Sequence, residues 1–169
     1  MVENSLIDSI SVVCKALNEF LVEYVIVGGT AVALHGYYRH STTAVGGVAE
    51  KPDLDFWYNP TYSNYIRLLN TLESLGKDVT RFKKEKAPDP KRSFFKYEFE
   101  KFTLDFLPEL KAPLRFMSSF DRRETVTINN TEVSFISYED LVLDKKASNR
   151  SKDITDLKYL GISKKKSGE

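Results

Sequence analysis

The sequence predicts a mixed α/β (α+β) domain, a small sheet flanked by helices. Three observations predict it. A β-branched run, Tyr24 to Val27, ends in Gly28-Gly29 and leads into a helix-like stretch. Two apolar runs, Asp53 to Tyr58 and Phe102 to Leu107, carry aspartates in phase with a two-residue alternation. Helical periodicity flanks these runs along the chain.

Taken in order, Leu6, Ile10, Val13, Leu17 and Phe20/Leu21 form one face of a helix over residues 5–22, with Ser5 as its N-cap. Tyr24 to Val27 is a short strand, the diglycine a tight turn, and Thr30 to Tyr37 a helix. Residues 40–52 hold Gly46-Gly47 and no periodicity, so they read as a loop. Asp53 to Tyr58 is a strand stopped by Asn59-Pro60. Tyr62, Tyr65, Ile66, Leu69 and Leu72 mark a helix closed by Gly76. Residues 81–92 form a charged, proline-broken loop. Phe94 to Phe99 and Phe102 to Leu107 pair as a hairpin around Glu100-Lys101, and Glu124 to Ile128 pairs with Glu132 to Ile136 through Asn129-Asn130. Ser137 followed by Asp140 starts a helix to about Asn149. A last helix covers Ser151 to Leu160. There is no internal repeat, so one domain is expected over 1–163, with a frayed tail over 164–169.

The 169 residues include 41% hydrophobic and 29% charged residues, ordinary values for a folded chain. With 25 basic and 24 acidic residues the net charge is +1, which excludes a highly basic nucleic-acid coat and an acidic tail. The single cysteine, Cys14, forms no internal disulfide, and a reducing compartment fits. The first twenty residues do not resemble a signal peptide, and no apolar run approaches the roughly 18 residues that span a bilayer. The expectation is a soluble, cytoplasmic protein without a membrane partner.

The chemistry lies in the aspartates. Strand alternation points Asp53 and Asp55 the same way, while Leu54 and Phe56 point into the core. Asp105 is opposite in direction to Leu104 and Phe106. Two neighbouring strands can therefore gather three carboxylates on one face. Such a cluster repels itself and raises pKa values, a cost that a divalent cation removes. Oxygen ligands in this number suit Mg2+ or Mn2+. Gly28-Gly29 allows a backbone to approach a ligand closely, and the helix that follows offers free N–H groups to phosphate.

The combination VIVGGTAVALHG, then KPDLDFWY, then FTLDFL resembles the nucleotidyltransferase superfamily of the DNA polymerase β type. Within it the chain is most similar to small bacterial AbiE-type and minimal nucleotidyltransferases. The segment DLVLDKKASNRSKDITDL, Asp140 to Leu157, resembles their second signature. Together these segments run from residue 24 to about 160. The resemblance implies a mixed nucleotidyltransferase-type sheet and transfer of an NMP from an NTP to an acceptor hydroxyl. It implies that Gly28, Gly29, the Thr30 hydroxyl and Arg39 contact the nucleotide. Asp53, Asp55 and Asp105 would be the catalytic metal ligands, with Asp105 the base for the acceptor. Lys145 would neutralise triphosphate charge, and Arg150 and Asp153 would shape that side of the cleft. One departure stands out: between Arg39 and Asp53 lies an extra loop through Gly46-Gly47, which predicts a flap beside the nucleotide.

Acceptors implied by the resemblance are RNA, above all a tRNA end, a protein side chain, or a small molecule such as an aminoglycoside. It also implies a helical antitoxin or partner subunit, with this chain the toxin. The alternative is a nucleotide-binding antitoxin or partner protein without turnover, and a third reading is an interaction domain with merely solubilising acids. Trp57 shares the aspartate face and either stacks on a base or half-buries at the sheet edge. His35 and Cys14 read as core, His40 as surface, and the paired Phe94-Phe95 as core. The basic residues of 81–92 read as a solvated loop, with contact to RNA or a nucleotide as the sharper reading.

Overall fold

The computed structural model describes residues 2–36 and 51–167. Arg39, His40, Thr42-Thr43 and Gly46-Gly47, including the expected flap, lie outside the described residues. The elements run α1 (Val2–Glu19), β1 (Tyr24–Val27), α2 (Gly28–Leu34), β2 (Asp53–Tyr58), α3 (Tyr62–Ser74) and α4 (Thr80–Lys83). A 3-10 turn over Pro90–Arg92 precedes β3 (Phe95–Glu98), β4 (Thr103–Leu107), α5 (Phe116–Asp121), β5 (Glu124–Ile128) and β6 (Thr131–Phe135). The chain closes with α6 (Tyr138–Ser148) and α7 (Ser151–Ser167).

The strands form one six-stranded mixed sheet in the order β3-β4-β2-β1-β6-β5. β1 and β2 are antiparallel, β2 and β4 parallel, and β1 and β6 parallel. The two expected hairpins are present. β3 and β4 are antiparallel with Phe95 opposite Phe106, and Phe99 N–H reaches Phe102 O at 2.9 Å across the turn. β5 and β6 turn through Asn129 and Asn130, both at positive φ (49° and 62°), the conformation that a two-residue hairpin needs and asparagine tolerates.

Apolar alternation seats the sheet. Leu54, Phe56, Leu104 and Phe106 are fully buried, with Phe56 against Phe106 (5.0 Å) and Tyr24 (5.5 Å). Tyr65 of α3 and Phe82 of α4 pack on Phe95 at 5.9 and 5.1 Å. Ile10, Val13, Cys14 and Leu17 place one face of α1 in the same core. The opposite face of β2 and β4 carries the aspartates.

Several boundaries differ from the sequence reading, each for a local reason. α1 starts ahead of Ser5, so Ser5 is not its cap. α2 begins at Gly28 rather than Thr30, so the diglycine is the first turn of the helix instead of a connector. Asp78 accepts the N–H of Thr80 at 3.0 Å just ahead of the short α4, which overlaps the start of the segment read as loop. α5 escapes the sequence reading because Arg115, its N-cap, makes no side-chain cap and six residues are too few for periodicity. α7 passes Leu160 and Gly161 and runs to Ser167, through lysines that favour helix. Ser137 caps α6 as expected, accepting from Asp140 N–H.

Candidate active site

Three neighbouring strands build the site. β2 and β4 run in register from Asp53 beside Thr103 to Trp57 beside Leu107, which sets Asp55 directly beside Asp105. On the other side of β2, Val27 aligns with Asp55. The chain leaving β1 therefore passes over the Asp55 carboxylate at Gly28.

That passage explains the glycine. Gly28 has φ +68°, and a Cβ built there would lie 2.5 Å from Asp55 Oδ2. Any side chain meets both backbone strain and the carboxylate. Gly29 is the next residue of the same helical turn, and Val27, the N-cap, supplies no side-chain bond to the first N–H groups. Thr30 is buried, and its hydroxyl donates to Asp53 O at 3.0 Å, anchoring the start of β2.

Burial, then the charge of Asp105, then that of Asp53, push the Asp55 carboxyl up to about 7, with Lys152 opposing. Asp105 Oδ1 is buried without a hydrogen-bond partner, while its Oδ2 stands 3.8 Å from the exposed Lys96 ammonium. Asp53 is exposed and accepts a hydrogen bond from the Thr103 hydroxyl. The expected triad is thus a tight pair plus a third carboxylate turned aside. Accordingly, among the described residues no three His, Cys, Asp or Glu side chains converge as a ready metal cage. The pair itself fits a divalent cation. Its donors are hard carboxylate oxygens, one of them buried without a partner, and its mutual repulsion is what a cation relieves.

A cleft of about 320 Å³ opens beside the pair, lined by Gly28, Asp55, Lys111, Asp144, Lys145 and Arg150 among others. Its far wall is a buried ionic cluster. Lys145 Nζ, 3% exposed, lies 3.1 Å from Asp153 Oδ1 and 2.9 Å from Asp156 Oδ2. Arg150 donates to Asp153 from its backbone N–H (3.0 Å), its Nε (2.8 Å) and its Nη2 (3.3 Å). Burial raises the Asp153 carboxyl, and the Arg150 and Lys145 bonds outweigh that and hold it at about 2. These surroundings differ from those that the resemblance implies for Lys145, because two buried carboxylates already balance its charge. Asp156 is the further aspartate of the second signature segment, to which the sequence assigned no role; it stands one turn of helix after Asp153. Arg150 keeps an exposed side chain at the cleft, raised further in pKa by Asp153.

No protein-family model matches this sequence, and no curated protein is significantly similar to it. Solved structures are similar in shape. An antigenic nucleotidyltransferase-like protein from Paracoccidioides brasiliensis superposes with a TM-score of 0.55 at 16% identity, over 95% of this chain and 75% of that one. The antibiotic-resistance factor ANT(2'')-Ia gives 0.54 at 19%, over 93% and 83%. The lincosamide antibiotic adenylyltransferase LnuA, solved with lincomycin, gives 0.55 at 17%, over 86% and 89%.

This chain has the nucleotidyltransferase fold. In that fold the aspartate pair sits on the central strands, and the two signature segments, distant in sequence, line one cleft. Trp57 is corrected from half-buried or base-stacking to core. It is 1% exposed, packs edge-on against Phe116 at 5.2 Å, and its Nε1 donates to Pro108 O at 3.2 Å. The segment that covers it, 108–116, had no signal in the sequence. His35 packs as read, its Nε2 2.8 Å from Ile136 O and its ring against Phe135. Phe94 is exposed and only Phe95 is core. No described helix of the nucleotidyltransferase fold here is long and apolar enough to cross a membrane.

Proposed function

We propose that this protein is a metal-dependent nucleotidyltransferase that moves an NMP from an NTP to an acceptor hydroxyl, releasing pyrophosphate. One observation carries the reading: Asp55 stands beside Asp105 beneath Gly28, at a cleft with Arg150 on its wall, in a chain of nucleotidyltransferase fold.

Asp55 and Asp105 would hold Mg2+ or Mn2+, with Asp53, on the same strand face, as the third carboxylate of the set. A cation bound there supplies positive charge to the phosphates and lowers the cost of ionising the acceptor hydroxyl. Gly28 and Gly29 let the phosphates approach the backbone, and Arg150 faces their charge. Lys145, Asp153 and Asp156 fix the wall on which Arg150 stands. The acceptor oxygen attacks the α-phosphorus in line, its proton passes to Asp105, and the bond to pyrophosphate breaks. Catalysis of this kind is mostly positioning and charge. Arg39 joins the nucleotide-binding residues as the resemblance implies.

The AbiE-type resemblance supports RNA, particularly a tRNA end, as acceptor, with a helical antitoxin as partner and the cytoplasm as the place of action. Of two neighbours of the same fold, one is an antibiotic-resistance factor and the other a lincosamide antibiotic adenylyltransferase, which supports a small hydroxylated molecule. The test is incubation with each α-labelled NTP and Mg2+ against three pools: tRNA, aminoglycosides and lincosamides, and proteins. The expected result is label in one pool with pyrophosphate released, abolished by Asp53→Asn and Asp55→Asn. No transfer from any NTP, or undiminished transfer in both variants, contradicts the reading.

A further inference from the structure

The sequence resemblance assigns the triphosphate's charge to Lys145, yet Lys145 is enclosed between Asp153 and Asp156 and has no charge left over for a ligand. Arg150 shares its own charge with Asp153. A triphosphate in this cleft needs another cation, and the lining contains one.

Lys111 lies in the connection between β4 and α5. Its side chain is exposed, it lines the cleft with Gly28 and Asp55, and it forms no ion pair with any other described residue. Its backbone is fixed. Asp144, buried in α6, lines the same cleft as Lys111; burial raises its carboxyl, and the backbone N–H groups of Ala112 and Lys111 work against that rise. Leu114 N–H closes a tight turn on Ala112 O at 2.8 Å, and Pro113 restricts the residue before it. Asp144 neighbours Lys145 in sequence but faces the β4–α5 connection. Successive residues of α6 thus tie the two sides of the cleft, Asp144 the loop and Lys145 helix α7.

We propose that Lys111 is a phosphate-binding residue of this cleft and that Asp144 is the positioning residue that holds it there. This rests on the nucleotide-binding reading above. Lys111 meets the β- and γ-phosphates from the β4–α5 connection, while Arg150 meets them from the residue just before α7.

The test titrates inorganic triphosphate, the best-binding NTP and its monophosphate, each with Mg2+, by calorimetry. Lys111→Gln weakens triphosphate and NTP about tenfold, as expected for loss of a charge-assisted bond, and the monophosphate far less. Lys111→Arg restores most of the affinity. Glu109→Gln, on the same exposed rim, does not weaken either ligand, since it removes a negative charge. Asp144→Ala reproduces the Lys111→Gln pattern, and Asp144→Asn, which keeps an acceptor oxygen, retains more affinity. Unchanged thermal unfolding of free Lys111→Gln shows that the loss is not one of fold. If the wild type binds and Lys111→Gln binds equally, or loses NTP and monophosphate equally, the proposal is overturned and the site stands. If the wild type binds no nucleotide with Mg2+, the nucleotide-binding reading fails and this one with it.

Discussion

Asp55 stands beside Asp105 on the neighbouring parallel strand, and burial together with that neighbour's charge holds its carboxyl up to about 7. In the unfolded chain an aspartate titrates near pH 3.9. Between about pH 4 and 7 the folded protein therefore binds more protons at this position than the unfolded one. Stability falls as pH rises through that window, and the cost is fully present above it. Thermal unfolding from pH 4.5 to 8 should show a shallower fall in Asp55→Asn than in the wild type. Identical slopes would place the perturbation elsewhere. Added Mg2+ should recover stability at pH 8 and do little at pH 5, where Asp55 is protonated.

Gly28→Ala brings a Cβ within 2.5 Å of Asp55 Oδ2 at φ +68°. It should cost about 1–3 kcal/mol of stability and also nucleotide affinity. Gly76→Ala is the control. Gly76 has φ +95° but nothing within 4 Å of the added methyl, so only backbone strain is felt and binding is retained. Equal effects on binding from the two variants would remove Gly28 from the site.

Lys145→Met leaves Asp153 and Asp156 buried without their shared cation. Breaking a buried ion pair in this way costs about 3–5 kcal/mol, measurable by denaturant unfolding. A variant of wild-type stability that has lost nucleotide affinity would instead return Lys145 to the direct phosphate role that the resemblance implies.

Trp57→Ala should cost about 3–5 kcal/mol, because the indole fills space against Phe116 and bonds Pro108 O. Trp57→Phe should keep nucleotide binding. A selective loss of one base's affinity in Trp57→Phe would restore the stacking reading.

The aspartate face was legible because period-two alternation decides which way Asp53, Asp55 and Asp105 point before any pairing is known. Both hairpins were legible because their strands adjoin in sequence and Asn129-Asn130 suits positive φ. The parallel pairing of β2 with β4, which turns a set of acids into the Asp55–Asp105 pair, joins strands some fifty residues apart and leaves no local trace. For the same reason the sequence was silent on the cover over Trp57, the enclosure of Lys145 and the anchoring of Lys111. Each depends on what a distant segment brings to the residue. Asp53 shows the limit of the pattern itself, since its face was right and its carboxylate is turned to Thr103.

The most direct test of the aspartate pair as a metal–nucleotide site is thermal unfolding with each of the four NTPs, with and without Mg2+, for the wild type and Asp105→Asn. A ligand at 100 times its dissociation constant stabilises by about 2.7 kcal/mol, well within reach of the measurement. The account predicts an upward shift that needs NTP and Mg2+ together and disappears in Asp105→Asn. No shift with any nucleotide and metal, or a shift that survives in Asp105→Asn, would contradict it.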